Sequence, residues 1–148
     1  MPRIERTAEI GWGGNLARGA GTLSAGSGAF TGLGYSLATR IGAPEGKTSP
    51  EELLAAAHGG CLTMSLAGEL TAADTPPGRI DTTCTIVMDE VPGQGHQILG
   101  SHVELVVTAT AVDDAGLRAA LAKADEGCPF STLLRRAGAD VQSSARLG

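Results

Sequence analysis

The sequence predicts one α+β domain, and three observations predict it. The N-terminal third is punctuated by glycine at hairpin-like intervals, as in "GWGGNLARGAGTLSAGSGAF" (11–30). One capped, helix-length segment follows, and it carries no charged residue between Glu52 and Glu69. After it come two strand-like runs, two helical segments and a last strand-like stretch. Strands gathered in groups rather than alternating strictly with helices mark α+β rather than α/β.

The first strand is expected in "RIERTAEI" (3–10), which alternates in part, and the glycine-rich stretch behind it reads as a hairpin. "YSLATR" (35–40) reads as a third short strand and "IGAPEGKT" (41–48) as a loop. A helix start then follows. Ser49 is a good N-cap, Pro50 suits the first helical position, and Glu52 stands three residues after Ser49 as in a capping box. The helix should run from Pro50 to about Ala72, roughly 33 Å at the standard rise per residue. Its middle is apolar all round, which predicts burial on most sides. "DTPPGR" (74–79) ends it.

"IDTTCTIVMDEV" (80–91) and "SHVELVVTATAV" (101–112) are the next two strands, with "PGQGHQILG" (92–100) as their loop. In the first, Thr82, Cys84, Ile86 and Met88 share a face; in the second, Val103, Leu105 and Val107 do. "DDAGLRAALAKADEG" reads as a helix from near Asp113. "CPFSTLLRRAG" reads as a shorter one, with Pro129 in its first turn and Gly138 just past its end. "ADVQSSARL" (139–147) is the last strand. Without repeats, linkers or low-complexity segments, residues 1–148 read as a single domain.

Composition narrows the function. Apolar residues make up 42% of the chain but only four residues are aromatic, so aliphatic side chains must build the core. A chain of this size gains burial by pairing with a second copy. A net charge of −5 with scattered signs and no basic stripe argues against nucleic acid as a partner. The longest uncharged apolar stretch, 53–68, is too short for a membrane span, and no basic-then-apolar leader is visible. Three cysteines without a dense framework fit a reducing compartment, and the cytoplasm is the expected location.

The cysteines are the chemically suggestive residues. Cys84 sits among apolar neighbours on one strand face and reads as a small core residue. Cys128 precedes Pro129 where a helix begins, and a helix N-terminus favours a thiolate; an ordinary capping or core cysteine fits equally. Cys61 lies about three turns into the long helix, too far from its N-terminus to be helped by it. Enclosed by Leu and Ala, its thiol would be inert unless a cation reaches it. Gly59 and Gly60 each weaken a helix by about 1 kcal/mol relative to Ala. Close approach of another backbone, a small substrate or a tight helix crossing would account for them. His58, three residues before Cys61, permits a Cys–His nucleophile pair but reads first as a packing histidine. Zinc is disfavoured because no CxxC pair is present. The glycines fit hairpin turns better than a nucleotide loop.

The pattern T-x-P-E-E-L-x-x-A-A-H-x-x-C, from Thr48 to Cys61, stands with G-C-P-F-S at Gly127 to Ser131. Together with W-x-G at Trp12, G-x-G-T at Gly19 to Thr22 and "ATR" ending at Arg40, it resembles the OsmC/Ohr family of bacterial thiol peroxidases over almost the whole chain. Arg40 just upstream of the T-x-P-E-E segment resembles the OsmC branch rather than the Ohr branch. The resemblance implies antiparallel sheets wrapped around long central helices in an intertwined homodimer, with the active site at the dimer interface. It also implies reduction of organic hydroperoxides, and more weakly of hydrogen peroxide, without metal, haem or flavin. Cys61 would be the peroxidatic cysteine, Cys128 the resolving one, and Arg40 and Glu51 the activating pair. A small or lipoyl-type dithiol would recycle the Cys61–Cys128 disulfide. Cys84 has no counterpart in the motif.

One consequence is geometric. Glu51 and Cys61 are ten residues apart, about 15 Å along one straight helix. A Glu51 serving a Cys61 site is therefore expected to come from the partner's helix. Two rival readings stand beside this one. The first is acyl transfer or thioester cleavage by Cys61 and His58. The second is a non-catalytic dimer whose cysteines fill core.

Overall fold

A computed structural model describes residues 2–148. The chain forms two compact units that divide between Pro50 and Glu51. In the first, β1 (Ala8–Gly13), β2 (Ala20–Ala25) and β3 (Leu33–Tyr35) form an antiparallel sheet in sequence order. The expected start of β1 at Arg3 is corrected to Ala8. Ala8 pairs with Ala25, the end of β2, and the chain turns at once, with Gly28 N–H bonded to Ala25 O. One further bond, from Gly26 N–H to Thr7 O at 2.8 Å, closes the ladder, and residues 3–6 have none to join. Gly21 lies opposite Trp12 on β1 and Tyr35 on β3, and a β-carbon there would run into the Tyr35 ring. Its absence lets Trp12 and Tyr35 meet across β2, ring centroids 5.5 Å apart.

The third predicted strand is corrected as well. Only Tyr35 of "YSLATR" belongs to the strand, because β3 runs out of partner where β2 begins. Ser36 then caps a helix, α1 (Leu37–Ile41), its hydroxyl accepting from Thr39 N–H at 3.2 Å.

In the second unit, α2 (Pro50–Ala72) has the predicted bounds. Its burial follows a stripe at four-residue spacing, His58, Leu62, Leu66 and Leu70, each fully enclosed. Ala56, Gly60, Met64 and Gly68 form an exposed stripe, with Met64 78% exposed. Burial on most sides thus holds, with one stripe left open within a single chain.

Strands β4 (Arg79–Val91) and β5 (Gly95–Thr108) form a long antiparallel hairpin. The predicted loop 92–100 shrinks to three residues. Gly93 and Gly95 adopt positive φ (78° and 76°), which tightens the turn and lets β5 begin at Gly95. The alternation holds: Thr82, Cys84, Ile86 and Met88 are half-buried, and Val103, Leu105 and Val107 are buried.

Helices α3 (Asp114–Gly127) and α4 (Pro129–Arg136) follow. Asp113 caps α3 by accepting from Gly116 N–H at 2.7 Å. Gly138, at φ 89°, ends the α4 turn. β6 (Asp140–Leu147) then pairs with β5 in parallel, so this sheet, ordered β4-β5-β6, is mixed. The parallel pairing follows from the α3–α4 crossover, which returns the chain to the same end of the sheet. The core joins Leu62, Leu66 and Leu70 of α2 to Val103, Leu105 and Val107 of β5 and Leu117 and Leu121 of α3.

Gly59 has its reason in this packing. A β-carbon there would stand 3.0 Å from that of Cys84, so α2 lies directly on β4. At Gly60 nothing lies within 4 Å. Leu66 is fully enclosed at the centre of the helix–sheet contact. Leu66→Ala is expected to lower stability by about 2–5 kcal/mol, read by urea unfolding.

Candidate functional site

Cys61 and Cys128 are brought together by two different devices. Cys61 is held by α2, on the flank of the buried stripe, and is half-buried. Cys128 is the hinge residue between α3 and α4. Its extended conformation (φ −79°, ψ 115°) ends one helix and starts the next, because Pro129 forbids a helical residue before it. Cys128 is fully buried, and an ion pair from Arg135 of α4 to Asp125 of α3 closes the corner around it.

The two thiols are neighbours: Cys61 packs against the core cluster that contains Cys128, and Cys128 perturbs its ionisation. The Cys61 thiol is pushed above its usual range, first by burial and then by its hydrogen bond and charge interaction with Cys128. The backbone of Phe130 and the Ser65 hydroxyl pull the other way, without overcoming it. Within its own unit, then, burial and Cys128 both favour the protonated Cys61 thiol. This is the condition the sequence set for it.

His58 does something other than assist Cys61. Its Nδ1 is bonded to the Ser101 hydroxyl at 2.6 Å and its Nε2 to the Ser131 hydroxyl at 2.8 Å. Both ring nitrogens are satisfied, so neither is left to act as a base toward Cys61. This corrects the Cys61–His58 nucleophile pair that acyl transfer would need. Burial lowers the imidazole pKa below its ordinary 6.5; Asp125 opposes and Arg135 reinforces that shift. The Cys84 thiol stands 3.5 Å from the same Ser101 hydroxyl.

The remaining predicted residues lie elsewhere. Glu51 is half-buried in the first turn of α2, ten residues from Cys61 and about 15 Å away along the axis. Arg40 is in the last turn of α1, at the mouth of a cavity of about 320 Å³ that also involves Trp12, Leu16 and Tyr35. An opening beside α2, about 540 Å³, is lined by Gly59, Gly60, Thr82 and Cys84 among others; neither Cys61 nor Cys128 lines it. Among the described residues, no group of three His, Cys, Asp or Glu is placed to hold a metal ion, and no helix is long and apolar enough to cross a membrane.

Sequence reasoning missed Ser65, Ser101, Asp125 and Arg135 and gave Ser131 no role. Two of these had a signal. Ser65 is one helical turn after Cys61. Ser101 is the polar residue on the otherwise apolar face of Val103, Leu105 and Val107.

The neutral His58 makes stability depend on pH. In the unfolded chain it takes a proton near its ordinary pKa, and in the fold only at lower pH. Stability from this group is complete above about 6.5 and is lost as pH falls through the folded value. Urea midpoints between pH 7.5 and 5.5 should therefore fall further for the native chain than for His58→Gln.

The profile of the OsmC-like protein family matches residues 42–144. The chain is 34% identical over 132 residues to the peroxiredoxin OsmC of Escherichia coli (strain K12), covering 89% of this chain and 91% of that one. Among solved structures it is similar to an organic hydroperoxide resistance protein OsmC from Legionella pneumophila, with TM-score 0.72, 22% identity and coverage of 97% and 98%. It is also similar to the organic hydroperoxide resistance protein OhrB of Bacillus subtilis, with TM-score 0.70, 21% identity and coverage of 95% and 98%. The fold is thus shared along the whole length, and with the profile match and the curated relative it establishes that the chain belongs to the OsmC-like protein family, in its OsmC branch.

Proposed function

We propose that the protein is a thiol-dependent peroxidase that reduces organic hydroperoxides, and more weakly hydrogen peroxide, through Cys61 and Cys128. The observation that carries this is the packing of half-buried Cys61 against the core cluster that holds the enclosed Cys128, both as free thiols. The relatives support it, one being named a peroxiredoxin and others organic hydroperoxide resistance proteins.

The Cys61 sulfur attacks the peroxide. The O–O bond breaks, the hydroperoxide leaves as its alcohol, and Cys61 becomes a sulfenic acid. Cys128 displaces the sulfenic hydroxyl as water and forms a disulfide. A small or lipoyl-type dithiol reduces that disulfide by exchange, becoming a disulfide itself. The apolar surroundings, Leu54, Ala57, Met64 and Phe130, favour greasy hydroperoxides.

Attack needs the thiolate, whereas burial and Cys128 hold Cys61 protonated. Arg40 is the guanidinium that supplies the missing charge, and Glu51 orients it by a bidentate pair. The helix span between Glu51 and Cys61 supports a Glu51 supplied by the partner in a homodimer. The exposed stripe Ala56, Gly60, Met64 and Gly68, and the fully exposed strand β1, support such pairing. In this reading residues 1–148 act as one domain of each protomer, in the cytoplasm.

Cys61→Ser should abolish cumene hydroperoxide consumption with a dithiol. Cys128→Ser should allow one oxidation and then accumulate Cys61 sulfinic acid, identified by mass spectrometry. Normal cycling by Cys128→Ser would transfer resolution to another thiol. Arg40→Ala should raise the Cys61 pKa and slow its alkylation near neutral pH by about tenfold or more, because less of the sulfur is then thiolate. An unchanged rate would remove Arg40 from the site.

A further inference from the structure

The segments that carry the two thiols are tied together a second time, without sulfur. His58 stands three residues before Cys61 on α2, and Ser131 stands three residues after Cys128 in the first turn of α4. The 2.8 Å bond between His58 Nε2 and Ser131 Oγ therefore runs beside the thiol pair, from the same helix to the same helix start. His58, Ser131 and Cys128 are all fully enclosed, so water does not compete for this bond. The other imidazole nitrogen is bonded to Ser101 on β5, which anchors the ring to the sheet rather than leaving it to rotate with α4. Cys128 itself makes no side-chain cap to α4, so its position depends on what holds that first turn.

From this geometry we propose that the His58–Ser131 hydrogen bond is a strut that holds Cys128 within bonding reach of Cys61, making both residues positioning residues for the resolving step. The inference rests on the Cys61–Cys128 disulfide proposed above. In that step the Cys61 S–O bond breaks, the S–S bond forms, and the hydroxyl leaves with the Cys128 proton as water; no outside oxidant or reductant takes part. The sulfurs must close to about 2.05 Å, with little tolerance in the backbone. The competing event is a second peroxide converting the sulfenic acid to sulfinic acid, so delay in closing is costly. The strut does not touch peroxide or the Cys61 sulfur, and the first oxidation is independent of it.

The test compares the native chain with Ser131→Ala, Ser131→Thr and Ser101→Ala. Each is treated with equimolar cumene hydroperoxide. Sulfenic acid is followed by dimedone trapping and the disulfide by mass mapping. Ser131→Ala should form sulfenic acid at the native rate but close the disulfide about five- to tenfold more slowly, the effect of one lost hydrogen bond. Its disulfide should also be easier to reduce at equilibrium with dithiothreitol, by about 30 mV if the loss is tenfold. Ser131→Thr, which keeps the hydroxyl, should close near the native rate. Ser101→Ala, which removes the other bond of the same histidine, should slow closing less than Ser131→Ala. Native closing in Ser131→Ala with an unchanged potential overturns the strut. So does slowing of both steps equally in Ser131→Ala and Ser101→Ala, which is general loosening, or failure of Ser131→Thr to restore closing. If the native chain itself forms no Cys61–Cys128 disulfide, the peroxidase mechanism falls and the strut with it, a result distinct from loss of the strut alone.

Discussion

The constraint on which the structure turns is the removal of water from one sulfur. α2 carries Cys61 on the flank of a stripe of leucines, and Cys128 is pressed against it from the α3–α4 corner. Both neighbours favour the neutral thiol, by desolvation and by hydrogen bonding to it. Such a site cannot act as a nucleophile by its own means. In the proposed mechanism a guanidinium supplies the charge, because it cannot shed its proton to escape the cost of burial. In that reading the same apolar enclosure that makes the thiol reluctant also favours apolar peroxides.

Three buried polar side chains beside the thiols pair with one another. Ser101, His58 and Ser131 satisfy one another across β5, α2 and α4 within the core. A half-satisfied imidazole at zero exposure would destabilise the unit, whereas this one links three elements and is neutral. A histidine so occupied is unsuited to the proton shuttling of an acyl-transfer enzyme. That separates two chemistries which the H-x-x-C spacing alone left side by side.

Much of the architecture was legible in the chain. The bounds of α2 follow from Pro50 and an unbroken apolar run, and α3 and α4 from Asp113, Pro129 and Gly138. The errors have physical causes. Tyr35–Arg40 has mixed propensities, and only the end of the β2 ladder decides that Ser36 becomes a cap. Residues 95–100 look like loop because glycine and polar residues dominate them, yet the turn at Gly93 places them opposite β4, whose ladder extends them. The exposed side of α2 was unreadable because an apolar helix gives the same pattern whether its cover comes from its own chain or from another. For the site, residue types were readable and partners were not: a serine on an apolar strand face hints at a buried polar contact, but only the fold shows that the contact is His58.

The unequal accessibility of the two sulfurs gives the recycling reaction a direction. Cys128 has no surface of its own, whereas Cys61 is only half covered. In the proposed cycle a thiolate arriving from solvent would displace Cys128 as the leaving group and remain attached, for a moment, to Cys61. The mixed adduct would then form on the sulfur that met the oxidant, so that fuel and waste share one doorway. A bulky oxidised lipid lodged there would delay its own enzyme's regeneration until it had left.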